Sequence, residues 1–574
     1  MRRSFVSFVS LLVFLSALIP SARAQATPQE EPGGSSISTR TDLVLVPVVV
    51  TDKSGKHLSK LNKDDFRLEE DGKTQGISRF EEITASATPM RHAAAPLPNA
   101  FTNEVLGDPS SRVLVIIALD FLNTTFADEV FARRALLKYL AESVHENTLV
   151  SFVNIDGTGM HLIHDFTTDP SVLMAALKRV SGGTPRLDTN EQDAMGQGVA
   201  AQERATILAE TAGLSNLVNP DFIRAAAQAA IINGQVAASR ESMAIRTTLE
   251  ALQHLAQSYA SVPGRKALIW ATGSFPFVMH DPGDLIGGIS PEMYQRTFQM
   301  LGNANIAVYP VDVRGLAPGV VSPHDANRPV QLSNNIAARA QVLRSAEVQN
   351  AESVREDTLA TLRSFADMTG GRAFYNANDL APLMVRATND SSSYYLLSYY
   401  LNKDSAKKSG WHKLKVSVGR DGAQVRTRSG FFVSRATLDP EASRRIDEQV
   451  ALDSPIDYTA MPLLFVWKEV QSGSKKNKAS FNLMVAPQII HIQDNKINLD
   501  FLGIARNAKG EEIAKFSQNL QNTLNPDGVR QIQSAGMTYI NALQLPPGDY
   551  TVRTVVRDNL TGLMGSVLAP VKVQ

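Results

Sequence analysis

The sequence predicts an α/β domain over residues 112–390, with a mostly parallel sheet and helices on both faces, plus flanking β-sandwich segments and a C-terminal β-sandwich. Three observations carry that expectation. Short apolar runs, "RVLVIIALD", "TLVSFVNID", "KALIWAT" and "NIAVYPVDV", alternate with amphipathic stretches such as 126–145, 240–260 and 292–302. Strands that are apolar on both faces belong to covered sheets, and helical crossovers join parallel strands. Outside that block, segments such as "DFRLEEDGKTQGISRFE" and "KINLDFLGIA" alternate between polar and apolar residues and are punctuated by turn residues, as half-buried antiparallel strands are.

The 574 residues exceed the roughly 250–300 at which a single core stops growing, so several domains are expected. Residues 1–24 read as a signal peptide: Arg2 and Arg3, an apolar run from Phe5 to Ile19, then Ala22-Arg23-Ala24 as a small-x-small cleavage site. No later run is long enough to span a bilayer, so no transmembrane segment is expected after cleavage. Residues 25–40 are rich in Gly, Pro and Ser and predict a disordered linker. The segment 41–84 carries strand patterning, with Asp71-Gly72 as a hairpin turn. Residues 85–111 form a second linker by composition.

Within 112–390, residues 188–240 break the rhythm. They are rich in Ala and Gln and read as an inserted pair of helices. Strand patterning returns over 393–434, and this segment is expected to pair with 41–84, making the α/β domain an insertion within one sandwich. A linker with a short polar helix over 435–459 leads to 460–574, the C-terminal β-sandwich.

Composition narrows the function. A net charge of +0 offers no electrostatic case for nucleic acid. The absence of cysteine removes thiol nucleophiles, zinc–thiolate sites and disulfides, so an exported chain must be held by its cores. No Gly-x-Ser-x-Gly elbow, Walker motif or dinucleotide fingerprint occurs. The chain reads as a non-enzyme.

The site question centres on "VLVIIALDFLNTT", where an apolar strand ends at Asp120. In an open parallel sheet, ligands bind outside the carboxyl ends of the strands. Here the sequence resembles the von Willebrand factor type A domain family, in particular bacterial secreted VWFA-related proteins common in acidobacteria. The resemblance spans about 41–434. It is carried by "VVVTDKSGKHLSKLNKDDFRLEEDGKTQGISRFE", "RVLVIIALDFLNTT", "PGRKALIWATGSFP", "ANIAVYPVDVRGL", "TLRSFADMTGGRAFYNANDL", "SSSYYLLSYY" and "WHKLKVSVGRDGAQVRTRSGFF". It implies a type A, Rossmann-like fold.

The resemblance also implies a metal-ion-dependent adhesion site for Mg²⁺ or Mn²⁺, built from Asp-x-Ser-x-Ser, a loop Thr and a second Asp. The match is degenerate. Asp120 stands for the first Asp, Leu122 replaces the first Ser, Thr124 replaces the second, Thr184 stands for the loop Thr, and Thr272 falls where the second Asp belongs. Two readings stay open: a weak metal site at Asp120, Thr124 and Thr184, or an inherited carboxylate satisfied by Asn123, Thr124 or backbone amides. A binding face would add Leu122, Asn123, Thr272, Ser274 and Asp312.

Other polar groups have simpler readings. His161 and His164 lie three apart on a strand and point to opposite faces, unlike a helical metal pair. Asp312 and Arg314 read as a local ion pair. Gly370-Gly371 reads as a helix C-cap, and Glu69, Glu70 and Asp71 as a solvated hairpin tip. Together these features predict an exported, non-catalytic protein-binding or adhesion module that is periplasmic, surface-bound or released. The alternative is a structural component of a cell-envelope assembly, which an apolar crown at Phe121 and Leu122 would favour.

Overall fold

The computed structural model describes residues 43–85, 99–104, 112–144, 147–180, 220–260, 262–273, 291–315, 355–356, 358–402, 405, 408–433, 441–454, 456–471, 477–487 and 489–574. The expected signal peptide, the 25–40 linker, most of the 85–111 linker, the first part of the 188–240 insertion, Thr184 and Ser274 lie outside them.

The N-terminal strands are β1 (Leu43–Thr51), β2 (Phe66–Glu70), β3 (Lys73–Gln75), β4 (Arg79–Thr84) and β5 (Ala100–Thr102). Next come β6 (Val113–Asp120), helix Phe126–Ser143, β7 (Thr148–Asp156), β8 (Gly159–Thr167), helix Pro170–Arg179 and helix Pro220–Ser258. Strand β9 (Lys266–Thr272), helix Pro291–Asn303, β10 (Ile306–Asp312), a helix over 358–369 and helix Ala381–Ser392 complete this part. Strands β11 (Ser393–Tyr400), β12 (Gly410–Val418), β13 (Gln424–Arg426) and β14 (Gly430–Val433) precede helix Glu441–Asp453. The last part holds β15 (Leu463–Gln471), β16 (Asn477–Val485), β17 (Lys496–Asn507), β18 (Glu512–Thr523), helix Pro526–Ala535, β19 (Met537–Leu545), β20 (Gly548–Asp558) and β21 (Met564–Val573).

The strand pairing corrects the expected fold class. The chain is not built on a Rossmann-like, mostly parallel sheet, because antiparallel pairing dominates. Of the five sheets among the described residues, β13-β1-β11-β4, β14-β12-β2-β3, β19-β16-β15-β5 and β18-β17-β20-β21 are antiparallel throughout. Among the described residues, parallel strand pairs occur only in β10-β9-β6-β7-β8, whose edge strand β8 runs antiparallel to β7. Strands that alternate repeatedly with helices lie within the block 112–390. Among the described residues, most strands lie outside that block and pair antiparallel, some as hairpins such as β17–β18 and many between distant segments such as β1 and β11.

Alternation along β6 divides its side chains between two apolar layers. Leu114, Ile116 and Ala118 pack with Leu249 and Leu252 of helix Pro220–Ser258, Phe298 of helix Pro291–Asn303, and Phe365. Val113, Val115, Ile117 and Leu119 pack with Leu136 and Leu140 of helix Phe126–Ser143 and Met384 of helix Ala381–Ser392. Helix Pro220–Ser258 runs through residue 240 without interruption, so its C-terminal half lies in this core.

Two sandwiches accompany this layer. Strand β1 pairs with β11, from Leu43 opposite Tyr400 to Val48 opposite Tyr395, and with β13. Val46, Val48, Tyr395 and Leu397 from that sheet pack against Phe66, Leu68 and Leu414 from the sheet containing β2 and β12. In the C-terminal sandwich, Phe465 and Phe481 face Leu499, Phe501, Val552 and Val556. Ala100–Thr102, inside the expected second linker, pairs with β15 as an edge strand. Three residues are too few for a period-2 pattern to stand out.

Candidate functional site

In the five-stranded sheet, β6 is central, with β7 on one side and β9 on the other. The chain passes from β6 to β7 and later crosses to β9, so the carboxyl end of β6 lies where the strand order reverses. Asp120 occupies that end and is only 1% exposed.

Asp120 acts as a hydrogen-bond hub. Its Oδ1 accepts from the backbone N–H of Asn123 at 3.1 Å. Its Oδ2 accepts from Asn123 Nδ2 at 2.8 Å, Trp270 Nε1 at 3.1 Å and Thr272 Oγ1 at 2.9 Å. Burial pushes the carboxyl up to about 6, against the opposing pull of Asn123, Thr272 and Trp270. Asn123 Nδ2 also donates to Thr248 Oγ1 at 3.0 Å, on helix Pro220–Ser258.

The adjoining loop is fixed by similar means. The backbone N–H groups of Phe121 and Leu122 both donate to Ile155 O, at 2.9 and 3.2 Å. Thr124 Oγ1 accepts from the Gly273 N–H at 2.9 Å, tying this loop to the end of β9. Thr125 caps helix Phe126–Ser143 by accepting from the Asp128 N–H. Phe121 is buried beneath the Arg133 guanidinium, 5.3 Å from its ring centroid, while Leu122 is half-buried. The apolar crown at Phe121 and Leu122 is therefore reduced to Leu122.

A cage for Mg²⁺ or Mn²⁺ requires converging acceptor oxygens, about six of them at roughly 2.0–2.1 Å for Mg²⁺. Three donors converge on Asp120 Oδ2, Thr124 Oγ1 is engaged by Gly273, and Leu122 offers no oxygen. The described residues Asp120, Thr124 and Thr272 do not fit that ion. Their geometry is that of a carboxylate joining two strands.

Asp312 ends β10 and is fully buried. Arg314 grips it with Nε at 2.9 Å from Oδ1 and a guanidinium nitrogen at 3.0 Å from Oδ2, and Arg355 lies 3.8 Å away. The carboxylate shapes its own loop. His161 contacts Asp156 and Thr158, whereas His164 contacts the Asp165 carbonyl, so each has a separate local partner.

One constellation escaped the sequence reading. Glu70, expected at a solvated hairpin tip, is 1% exposed, and with Asp71 it meets His412 of β12. Glu70 lies opposite Leu414 in the β2–β12 ladder, so His412 falls beside the turn. Strand pairing between distant segments sets this contact, and no local pattern announces it.

No protein-family model matches the chain, and no curated protein does. Among solved structures, a β-glucuronidase of Bacteroides uniformis is similar at 15% identity over 34% of this chain and 20% of that one, with a TM-score of 0.14. B. uniformis β-glucuronidase 2 bound covalently to cyclophellitol-6-carboxylate aziridine is similar at 14% identity over 32% and 19%, also with a TM-score of 0.14. The chain spans about a fifth of the length of these enzymes, and similarity at this level carries no argument about its activity.

Proposed function

We propose that this chain is an exported, non-catalytic binding protein that recognises a protein partner through the half-buried Leu122 and Thr125, held in place by a rigid ledge of the buried residues around them in 121–125 and 272–273. The observation that carries the proposal is the commitment of Asp120. Its carboxylate accepts four hydrogen bonds and joins β6 to β9, while Thr124 joins the neighbouring loop to Gly273. A surface held in place before encounter loses little entropy on binding. Leu122 supplies a half-buried apolar contact at the reversal of strand order.

The N-terminal signal pattern supports export, and the resemblance to type A proteins supports partner binding at this sheet end. The ledge binds without a resident metal, since donors converge on the carboxylate an ion would need. A photo-crosslinking amino acid at Leu122, compared with one at Lys515 on β18, tests this in the native host. A discrete adduct specific to position 122 and insensitive to EDTA is expected. Adducts that are absent, or equal at both positions, would overturn the proposal. Loss of the adduct in EDTA would overturn metal independence.

A further inference from the structure

The Asp71-Gly72 hairpin brings three metal-ligating side chains together far from Asp120 in the sequence. Asp71 and Gly72 adopt φ of 49° and 78°, the left-handed pair required by a two-residue turn, with Glu70 opposite Lys73. Across the neighbouring strand, His412 Nδ1 lies 3.2 Å from Glu70 Oε1 and 3.0 Å from Asp71 Oδ2. The ligating atoms of the three residues lie within 4.8 Å of one another.

His412 and Asp71 each have a supported orientation. His412 Nε2 lies 3.1 Å from the Lys408 carbonyl, which can only accept, so the proton belongs on Nε2 and Nδ1 faces the carboxylates. The ring also stacks on Phe431, with centroids 5.4 Å apart. Asp71 Oδ1 accepts from the Lys413 N–H at 2.8 Å, leaving Oδ2 turned toward the imidazole. A carbonyl on the distal ring nitrogen and a hydrogen bond on the non-ligating carboxylate oxygen are the usual outer partners of a metal site.

The independent observation concerns hydrogen bonds the protein does not make. Glu70 is 1% exposed, yet neither of its carboxylate oxygens has a hydrogen bond of good geometry, although the Tyr399 hydroxyl approaches it, and neither does His412 Nδ1, in a residue 2% exposed. A proton on Nδ1 therefore aims well at neither carboxylate, despite the short separations. Buried charges are ordinarily paired with good geometry or coordinate metals. With zinc–ligand bonds of about 2.0–2.2 Å, the ligand atoms of a tetrahedral site lie about 3.3 Å apart, close to the two separations from Nδ1.

We infer that Glu70, Asp71 and His412 form a binding site for a divalent transition-metal ion, with Zn²⁺ as the preferred occupant. One imidazole and two carboxylates suit zinc better than Ca²⁺ or Mg²⁺, which take oxygen ligands alone. Asp71 is 45% exposed, so a fourth position opens to solvent for water or a partner's side chain. The ion would clip the β2–β3 turn to β12 and offset the two converging carboxylates.

The test is calorimetric titration of the full chain with Zn²⁺ after chelator treatment, alongside Co²⁺ titration read by visible absorption. One saturable site is expected, with intense d–d bands from a low-coordinate Co²⁺. His412→Ala and Glu70→Gln should weaken Zn²⁺ by more than about 100-fold, beyond the 10–100-fold that outer partners cost. Because Glu70 and His412 are buried, Asp71→Asn at the exposed corner serves as the variant that keeps the fold, and it should weaken Zn²⁺ at least tenfold. Asp120→Ala should leave the affinity unchanged, separating this site from the sheet-edge ledge. A wild-type chain that binds no Zn²⁺, or binds it no better than Asp71→Asn, would overturn the site and leave an ion pair in its place.

Discussion

Trp270 Nε1 donates to Asp120 Oδ2 at 3.1 Å, joining the ends of β9 and β6 across 150 residues of sequence. Donated bonds from Asn123 and Thr272 complete a buried carboxylate whose folded pKa is about 6, against 3.8 as its ordinary value. A carboxyl group raised on folding takes up protons more readily in the native state. Its contribution to stability is full below about pH 4 and is lost as pH rises through about 6. At 1.36 kcal/mol per unit, the loss is roughly 2–3 kcal/mol. Urea denaturation from pH 3.5 to 7.5 should show this decline in the wild-type chain and lack it in Asp120→Asn. Identical slopes in the two proteins would assign the dependence to another group.

Thr272→Val removes one donor while preserving shape. The charged form of Asp120 then loses a hydrogen bond, so stability at pH 7 should fall by about 1–2 kcal/mol. The midpoint of the pH dependence should move upward, because Thr272 holds the carboxyl down. An unchanged midpoint would exclude Thr272 from the network.

Tyr395 ties β11 to the segment between β1 and β2. Its hydroxyl accepts from the Leu61 N–H at 3.1 Å and donates to the Leu58 carbonyl at 2.7 Å. Tyr395→Phe keeps the ring packed but leaves both backbone groups without that partner. A loss of about 1–3 kcal/mol is expected in chemical denaturation. No change would mean that water replaces the hydroxyl.

Gly371 differs from an ordinary helix-ending glycine. A Cβ there would stand 1.8 Å from the Val308 carbonyl oxygen of β10, a backbone atom that cannot swing aside. Its N–H donates to Ala366 O at 2.8 Å, so the approach belongs to the turn itself. Gly371→Ala should destabilise by at least about 3 kcal/mol, measured as a shift in the denaturation midpoint. Gly422→Ala, with φ of 77° in open space, should cost about 1 kcal/mol.

Local chemistry made several features legible. Apolar runs marked β6, β9 and β10, the Asp71-Gly72 pair marked a turn with positive φ, and the end of an apolar run drew attention to Asp120. Burial is not legible from neighbours in sequence. "EEDGK" has the composition of a solvated turn, yet Glu70 is enclosed by a strand that arrives more than three hundred residues later.

What the sequence determined by itself is periodicity, turn chemistry and the residue types available to a site. Tertiary structure alone decided which strands became partners. Among the described residues it made four of the five sheets antiparallel throughout, recruited Ala100–Thr102 to β15, surrounded Asp120 with the side chains of Trp270 and Thr272, and brought His412 to Glu70 and Asp71. Periodicity reports which face of a strand is apolar, because that depends on neighbours two residues away. It cannot report what covers that face, because strand pairing and core packing join residues hundreds of positions apart.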